Sequence, residues 1–455
     1  MPSLNTSLWI AAGALQATQG ALDVTANNIS NANTPGYSRE RAILSEQSPT
    51  QEGNLQLGNG VNLTEIRSIR DQILQLRISQ EMQQQSSSET QYNILQQVQM
   101  LYASSTSGIG ADFTAFFNNL NQLTTDPTNT ADRQAVLSAA QNLAGDFNQA
   151  ELKLNTISSG LDQSVSQTVT QINSLSQQIA KVNAQVGSLQ REGKDPGVLL
   201  DQENQLINQL SQLTNVSQIQ TEHGLTITTG NGTPLVVGGE SFALQASPDS
   251  TGRVQIFSGG QNITDSINGG KLAGTIQVRD TVIPDMLTQL DNLASQFASS
   301  INAAQASGYD LNGAKGAPLF NVGSGSGAAA TLSVAISDPR LIAASSDGTS
   351  GSNGNIANLL AVETRALPGG KSPADTYASM VSQIGNLTAQ AQADASSGNS
   401  SLLQLNDQVG AVSGVSIDEE TTNLINYQRT YEAAARIVTT IDMLTQTVLQ
   451  MGASA

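Results

Sequence analysis

The chain has 455 residues and a net charge of −18, so it is repelled by phosphate backbones; nucleic acid and anionic membrane surfaces are excluded as partners. Only 12% of residues are charged and 4% aromatic, and there is no cysteine, which excludes disulfides and thiolate metal sites. The length allows roughly two to four domains, and the large share of Ser, Thr, Asn and Gln resembles extracellular structural proteins rather than enzymes. The N-terminal stretch lacks a positive leader, and Gln16 and Gln19 interrupt its apolar run, so it does not read as a cleaved secretion signal. No window of about 18 apolar residues predicts a membrane span. Export would therefore use a route without a cleaved signal.

The first predicted element is a helix with Leu8, Leu15, Leu22 and Ile29 seven residues apart. Small residues lie between them, Gly13 and Gly20 each cost about 1 kcal/mol of helix propensity, and Asp23 is the only charge before Arg39. Such a helix is marginal alone and needs a closely approaching partner. The turn motif Asn28, Asn31, Thr34, Pro35, Gly36 and Tyr37 ends it and redirects the chain, with Gly36 at positive φ. Residues 37–44 then read as extended, and 61–102 mix extended and helical signals.

Further along, residues 111–123 and 131–158 read as helices, separated by a turn at Asp126-Pro127 with Thr130 as cap. Residues 161–189 carry the clearest coiled-coil rhythm, broken at 191–197, and another helix runs to about 213. From 216 to 280 short β-branched runs separated by Gly, Asn and Pro predict one small antiparallel β unit. Helical signals resume at 284–305, 354–362 and 373–393; residues 307–330 read as loop and 331–336 as a strand.

The C-terminal stretch answers the first. Leu424, Tyr427, Tyr431, Val438, Ile441 and Val448 form a heptad seam. Ser416 and Glu419 predict a capping box, with Asp418, Glu419 and Glu420 at the positive end of the helix dipole. The simplest arrangement packs the two ends together and leaves apolar surface for other copies. The fold class expected is mainly α with an inserted β domain.

Catalytic, cofactor-binding and metal-ligating residues are all expected to be absent. The only histidine, His223, reads as a solvated turn residue, and no G-x-S-x-G elbow accompanies it. Three consecutive carboxylates on a helix point in different directions, so 418–420 read as capping rather than ligation. The glycine-rich 323–330 lacks the Lys-Ser/Thr of a phosphate loop.

Taken together, SLWIAAGALQATQGALDVTANNISNANTPGYSRERAIL (7–44) resembles the N-terminal signature of bacterial flagellar rod, hook and hook-associated proteins. SGVSIDEETTNLINYQRTYEAAARIVTTIDMLTQTVL (413–449) is similar, through SGV-x-x-DEE and NLI-x-YQ-x-x-Y-x-A-A-A, to the hook-associated protein 1 (FlgK) family, as is GYDLNGAKGAPLF at 308–320. The resemblance implies a multidomain axial protein: residues 1–60 with 412–455 as a terminal coiled-coil core, 61–215 with 281–411 as a helical domain, and 216–280 as an outward-projecting β domain. It further implies type III export, no enzyme activity, and a place at the hook–filament junction. The implied partners are other copies in a ring, the hook protein, the second junction protein and an export chaperone at 424–448. The subunit-interface residues implied are Leu8, Leu15, Leu22, Ile29, Leu424, Tyr427, Tyr431, Val438, Ile441 and Val448. The alternative readings are a hook or distal-rod protein, a secreted adhesin-like module, and an enzyme using carboxylates in 216–345.

Overall fold

Long helices dominate the computed structural model, which describes residues 2–52, 55–102, 108–221, 224–323 and 326–453; His223 lies outside them. The chain begins with α1 (Pro2–Asn31), then β1 (Glu40–Glu46), β2 (Thr50–Glu52), β3 (Leu55–Leu57) and β4 (Val61–Ser68). Next come α2 (Gln72–Tyr102), α3 (Ile109–Leu123), α4 (Thr130–Arg191) and α5 (Gly197–Leu213). The strand-rich stretch holds β5 (Ser217–Thr221), β6 (Gly224–Thr228), β7 (Pro234–Val237), β8 (Glu240–Ser241), β9 (Gln245–Pro248), β10 (Val254–Ser258) and β11 (Gln261–Asn262). After α6 (Gly270–Gln277) and a π-helical turn at Val278–Val282 come α7 (Ile283–Ser307), β12 (Phe320–Asn321), α8 (Ala328–Thr331) and β13 (Ser333–Val334). The chain closes with α9 (Ile356–Thr364), α10 (Pro373–Ser413) and α11 (Ile417–Ala453).

Two compact units divide these elements. The first comprises Met1–Gln83, Ile172–Ala243 and Gly398–Ala455; the second comprises Gln84–Gln171 and Leu244–Ser397. In the first, β1 and β4 form an antiparallel hairpin stem with a register shift between Ile43 and Leu44, and β5 to β8 form a four-stranded meander. Asn183 of α4 holds that meander, its amide donating to the carbonyls of Leu225 (3.1 Å) and Gly238 (3.0 Å).

The second unit owns the large aromatic core. Six of the eight phenylalanines gather there: Phe113, Phe116, Phe117, Phe147, Phe297 and Phe320. They meet mostly edge to face, with Phe113 and Phe297 centroids 4.9 Å apart, the geometry the ring quadrupole favours. The three-stranded sheet β11-β10-β9 is held in the same unit by a buried arginine. Arg279 sits in the π-helical turn with no exposed side chain. It donates to Asp162 (2.8 Å), to the carbonyl of Val254 (2.7 Å) and, through a second fork, to Asp280 (2.8 Å). Asp162 also accepts from the amide of Val254 at 3.0 Å. One guanidinium in the π-helical turn thus joins α4 and β10 to the segment that leads into α7.

Several expectations change. The stretch 216–280 forms two separate sheets and a helical start rather than one β unit, because Asn183 anchors the first sheet and Arg279 with Asp162 the second. Strand periodicity carries no information about such anchors. The two helices expected at 131–158 and 161–189 are one helix, α4. Gly160 does not break it: Leu154 and Leu161 are both buried on either side, and their packing outweighs about 1 kcal/mol of glycine propensity. Helix α10 runs on to Ser413, well past 393. The strand at 331–336 shrinks to the pair Ser333–Val334 against Phe320–Asn321. The cap of α4 is Asn129, whose side-chain Oδ1 accepts from the amides of Ala131 (2.9 Å) and Asp132 (3.3 Å), not Thr130.

Arg279→Ala would leave two carboxylates facing an emptied interior. Loss of one partner of a buried pair costs about 3–5 kcal/mol, and denaturant unfolding of the second unit should show a loss of that size. A loss below about 1 kcal/mol would mean that the arginine does not hold β10 in place.

Candidate assembly interface

Helices α1 and α11 pack along each other in the first unit. The face of α1 that is buried is made of small residues: Ala11, Ala17, Thr18, Ala21, Val24 and Thr25. The two threonine hydroxyls are satisfied inside the helix, by the carbonyls of Ala14 (2.6 Å) and Ala21 (2.9 Å), so their methyl faces can be buried. Leu15, Leu22 and Ile29 flank this face and are half-buried, and Leu8 is exposed. On α11, Ala434 and Ile441 are buried, while Leu424, Tyr427, Val438 and Val448 are half-buried and Tyr431 is exposed.

The glycines of α1 now have a reason. A Cβ at Gly20 would lie 2.5 Å from Leu63 Cδ2, and one at Gly13 would lie 3.2 Å from the carbonyl oxygen of Val61. Strand β4 therefore passes against α1 where a side chain would stand. The helix propensity lost at these positions is the consequence of that close approach.

Where α1 ends, a polar clamp joins the two ends of the chain. Asn28 is only 1% exposed and uses its whole amide. Its Nδ2 donates to the carbonyl of Glu40 (2.8 Å) and to Glu420 Oε2 (3.2 Å); its Oδ1 accepts from the Tyr37 hydroxyl (2.8 Å) and the Glu40 amide (2.9 Å). Arg39 donates to Glu420 Oε1 through Nε (2.8 Å) and to both oxygens of Glu419 (2.8 and 3.0 Å). Its backbone amide donates to the carbonyl of Ser413 at 3.0 Å. Ser38 donates through its amide (2.9 Å) and hydroxyl (2.7 Å) to Asp201, which also accepts from Arg70 Nε (2.9 Å). Gln205 donates to the Pro35 carbonyl at 2.7 Å.

The turn residues serve this clamp. Thr34 donates to Asn31 Oδ1 (3.2 Å), and Asn31 donates back to Asn27 Oδ1 (2.9 Å), so the turn is stitched to the last turn of α1. Gly36 has φ 78°, a left-handed conformation suited to glycine. Burial first, then the charges of Glu40, Asp201 and Glu420, pushes the Tyr37 phenol well above its ordinary range, so it stays a hydrogen-bond donor. The hydrogen bonds from Arg39 hold the Glu419 carboxyl below the usual carboxylate range. At the start of α11, Ser416 Oγ faces the Glu419 amide at 3.5 Å, while the Glu419 side chain turns to Arg39 instead of closing a capping box.

Sequence reasoning found Asn28, Asn31, Thr34, Pro35, Gly36 and Tyr37 as a turn, and it missed Arg39, Glu40, Arg70 and Asp201. It also read Glu420 only as a dipole partner, and Glu419 as a dipole partner and capping-box member. The available signal was Arg39 itself, the first cation of the chain, placed directly after a nearly uncharged helix.

A second apolar stripe on α11 was missed as well. Ile437, Leu444 and Met451 are spaced seven apart and exposed, with Leu449 60% and Trp9 of α1 77% exposed. These side chains make an exposed apolar stripe on the paired terminal helices.

Both ends match family models for axial proteins: residues 8–37 match "Flagella basal body rod protein" and residues 409–451 match "Flagellar basal body rod FlgEFG protein C-terminal". The molecule is thus an axial protein of the bacterial flagellum. Residues 95–320 match "Flagellar hook-associated protein FlgK helical domain". The chain is 30% identical to flagellar hook-associated protein 1 of Bacillus subtilis (strain 168), over 99% of this chain and 98% of that one. It is 25% identical to that of Escherichia coli (strain K12), over 94% of this chain and 96% of the other. The structure of the flagellar hook junction protein FlgK from Burkholderia pseudomallei has the same fold, with a TM-score of 0.68 at 20% identity, over 74% of this chain and all of that one. The chain belongs to the flagellar hook-associated protein 1 (FlgK) family.

The clamp should open in acid. A carboxyl whose value is lowered by folding stabilises fully above its unfolded value, about 4.3 for a glutamate, and loses that contribution as pH falls through the lowered value. Protection factors for the amides of 417–423, corrected for intrinsic exchange, should therefore fall below about pH 4. Arg39→Ala should show the lowered protection already at pH 7; unchanged protection at pH 7 would remove Arg39 from the clamp.

Proposed function

We propose that this chain, a structural component of the flagellum at the hook–filament junction, polymerises through α1 and α11 into a ring that joins hook to filament. The supporting observation is the exposed stripe beside the α1–α11 contact. Each large apolar side chain there gains about 1.5–3 kcal/mol when fully buried against a neighbouring copy. The interface residues in this reading are Leu8, Leu15, Leu22, Ile29, Leu424, Tyr427, Tyr431, Val438, Ile441 and Val448, extended by Trp9, Ile437, Leu444 and Leu449. The exposed members (Leu8, Trp9, Tyr431, Ile437, Leu444 and Leu449) meet other subunits, and the rest also set the α1–α11 pairing within one subunit.

The hook protein on one side and the second junction protein on the other are the proposed neighbours. An export chaperone covering 424–448 is the proposed escort, since the stripe needs shielding before assembly. The terminal core of 1–60 with 412–455 would line the axis. Residues 61–215 with 281–411 would surround it, and the two small sheets within 216–280 would serve as outward elements.

Two measurements test this reading. Ile437→Asp with Leu444→Asp changes only exposed positions, so the folded monomer should keep its helical circular dichroism while incorporation at the hook tip is abolished. Filaments growing normally on hooks built with this variant would contradict the assignment. Limited proteolysis of dilute monomer should remove the terminal helices before the second unit is cut. Termini that outlast the second unit would show that they need no neighbouring copy to be firmly held.

A further inference from the structure

In the second unit, Glu151 of α4 is 8% exposed, and its Oε2 meets no hydrogen-bond donor among the described residues. The charge of Asp291 of α7 acts on it. Both carboxyl groups lie against the segment 327–332. Asp291 accepts from the amides of Gly327 (2.9 Å, Oδ2) and Ala329 (2.8 Å, Oδ1), and Glu151 Oε1 lies 4.0 Å from where a Cβ on Gly327 would stand. Asn148, one turn earlier on α4, donates to the carbonyls of Ala329 (2.6 Å) and Leu332 (3.2 Å). The segment is thus tied to two helices by Asn148 and Asp291, with Glu151 against it.

A buried carboxylate beside a second, half-buried one is disfavoured in its ionised form unless a positive charge lies close by. No lysine or arginine pairs with either one among the described residues. The amides of Gly327 and Ala329 present positive N–H ends to Asp291 and disfavour a metal cation there, while Asn148 is spent on the carbonyls of Ala329 and Leu332. No third carboxylate or histidine joins the pair among the described residues. A proton is what fits.

We propose that Glu151 and Asp291 share a proton and act as a pH-sensitive latch on the segment 327–332, closed in mildly acidic solution and loosened as the pH rises. Burial first, and then the neighbouring Asp291 charge, holds the Glu151 carboxyl above the usual carboxylate range. A second carboxylate pair joins α3 to α4: burial and the Asp146 charge push Asp112 of α3 up to about 6, and the Asp146 charge also acts on Tyr377 of α10. The sign follows from linkage. A carboxyl raised by folding binds its proton more tightly when folded. Its stabilisation is greatest at low pH and is lost as the pH rises from the unfolded value through the raised folded one.

The test reads the latched amides directly. Protection factors for Gly327, Ala329 and Ala330, corrected for intrinsic exchange, are measured on the full chain at pH 5 and pH 8. The wild type should lose protection several-fold at pH 8. Glu151→Gln, which supplies a permanent donor in place of the proton, should keep its protection at both values. A carbon-13 carboxyl titration of the unmodified protein, independent of any variant, should show Glu151 titrating above a free glutamate. The proposal is overturned by wild-type protection indifferent to pH, by Glu151→Gln following the wild type, or by an ordinary titration of Glu151. Calcium or magnesium restoring protection at pH 8 in the wild type alone would overturn it too, by making the pair a cation site.

Discussion

One guanidinium joins the two ends of this chain. Arg39 reaches carboxylates 380 and 381 positions away in sequence, and its fork takes both oxygens of Glu419 while its Nε takes Glu420. Glu420 is buried, so this contact is not an exposed ion pair of negligible worth; it is a charge-assisted, partly desolvated one. Asn28 completes it, because the amide that satisfies the Glu40 backbone also holds the second oxygen of Glu420. Everything the terminal helices do together depends on this knot, since it fixes where α11 begins relative to where α1 stops.

The knot explains the unusual composition of α1. A helix that must lie close to both a second helix and a strand has little room for side chains. Alanine, threonine and glycine occupy the contact surfaces, and the large residues are displaced to the flanks. With so little apolar area buried, the pairing has a modest hydrophobic contribution and relies on the polar end for its register. Charge is kept out of the helix for the same reason: a lysine or glutamate on either contact face would be desolvated without a partner.

Much of this was legible in the residues. The heptad spacing located both terminal helices, and the Asn-rich stretch with Thr34-Pro35-Gly36 located the turn between α1 and β1. The burial pattern was read less well. Leu8, Leu15, Leu22 and Ile29 look like a seam because large residues dominate any hydrophobic pattern, yet the helix buries the face of Ala17, Ala21 and Thr25 beside them. The clamp was illegible because its members are remote in sequence and individually ordinary. A Ser, an Asp and an Arg at 38, 201 and 70 carry no shared spacing. The division of the 216–280 strands was hidden likewise, since Asn183 and Arg279 select the sheets from outside them.

The two units therefore differ in how they are held, and the difference suits their tasks. The second unit encloses a cluster of phenylalanines and a fully buried arginine with two partly buried carboxylate partners, interactions complete within one chain. Each phenylalanine there contributes about 1.5–3 kcal/mol by burial alone. Helix α1 of the first unit buries mainly alanine and threonine, which yields a fraction of that per residue, and the terminal helices leave Trp9, Ile437 and Leu449 in water. A pair of helices so arranged draws less from its own apolar burial than the second unit does. The second unit is held instead by contacts complete within its own residues.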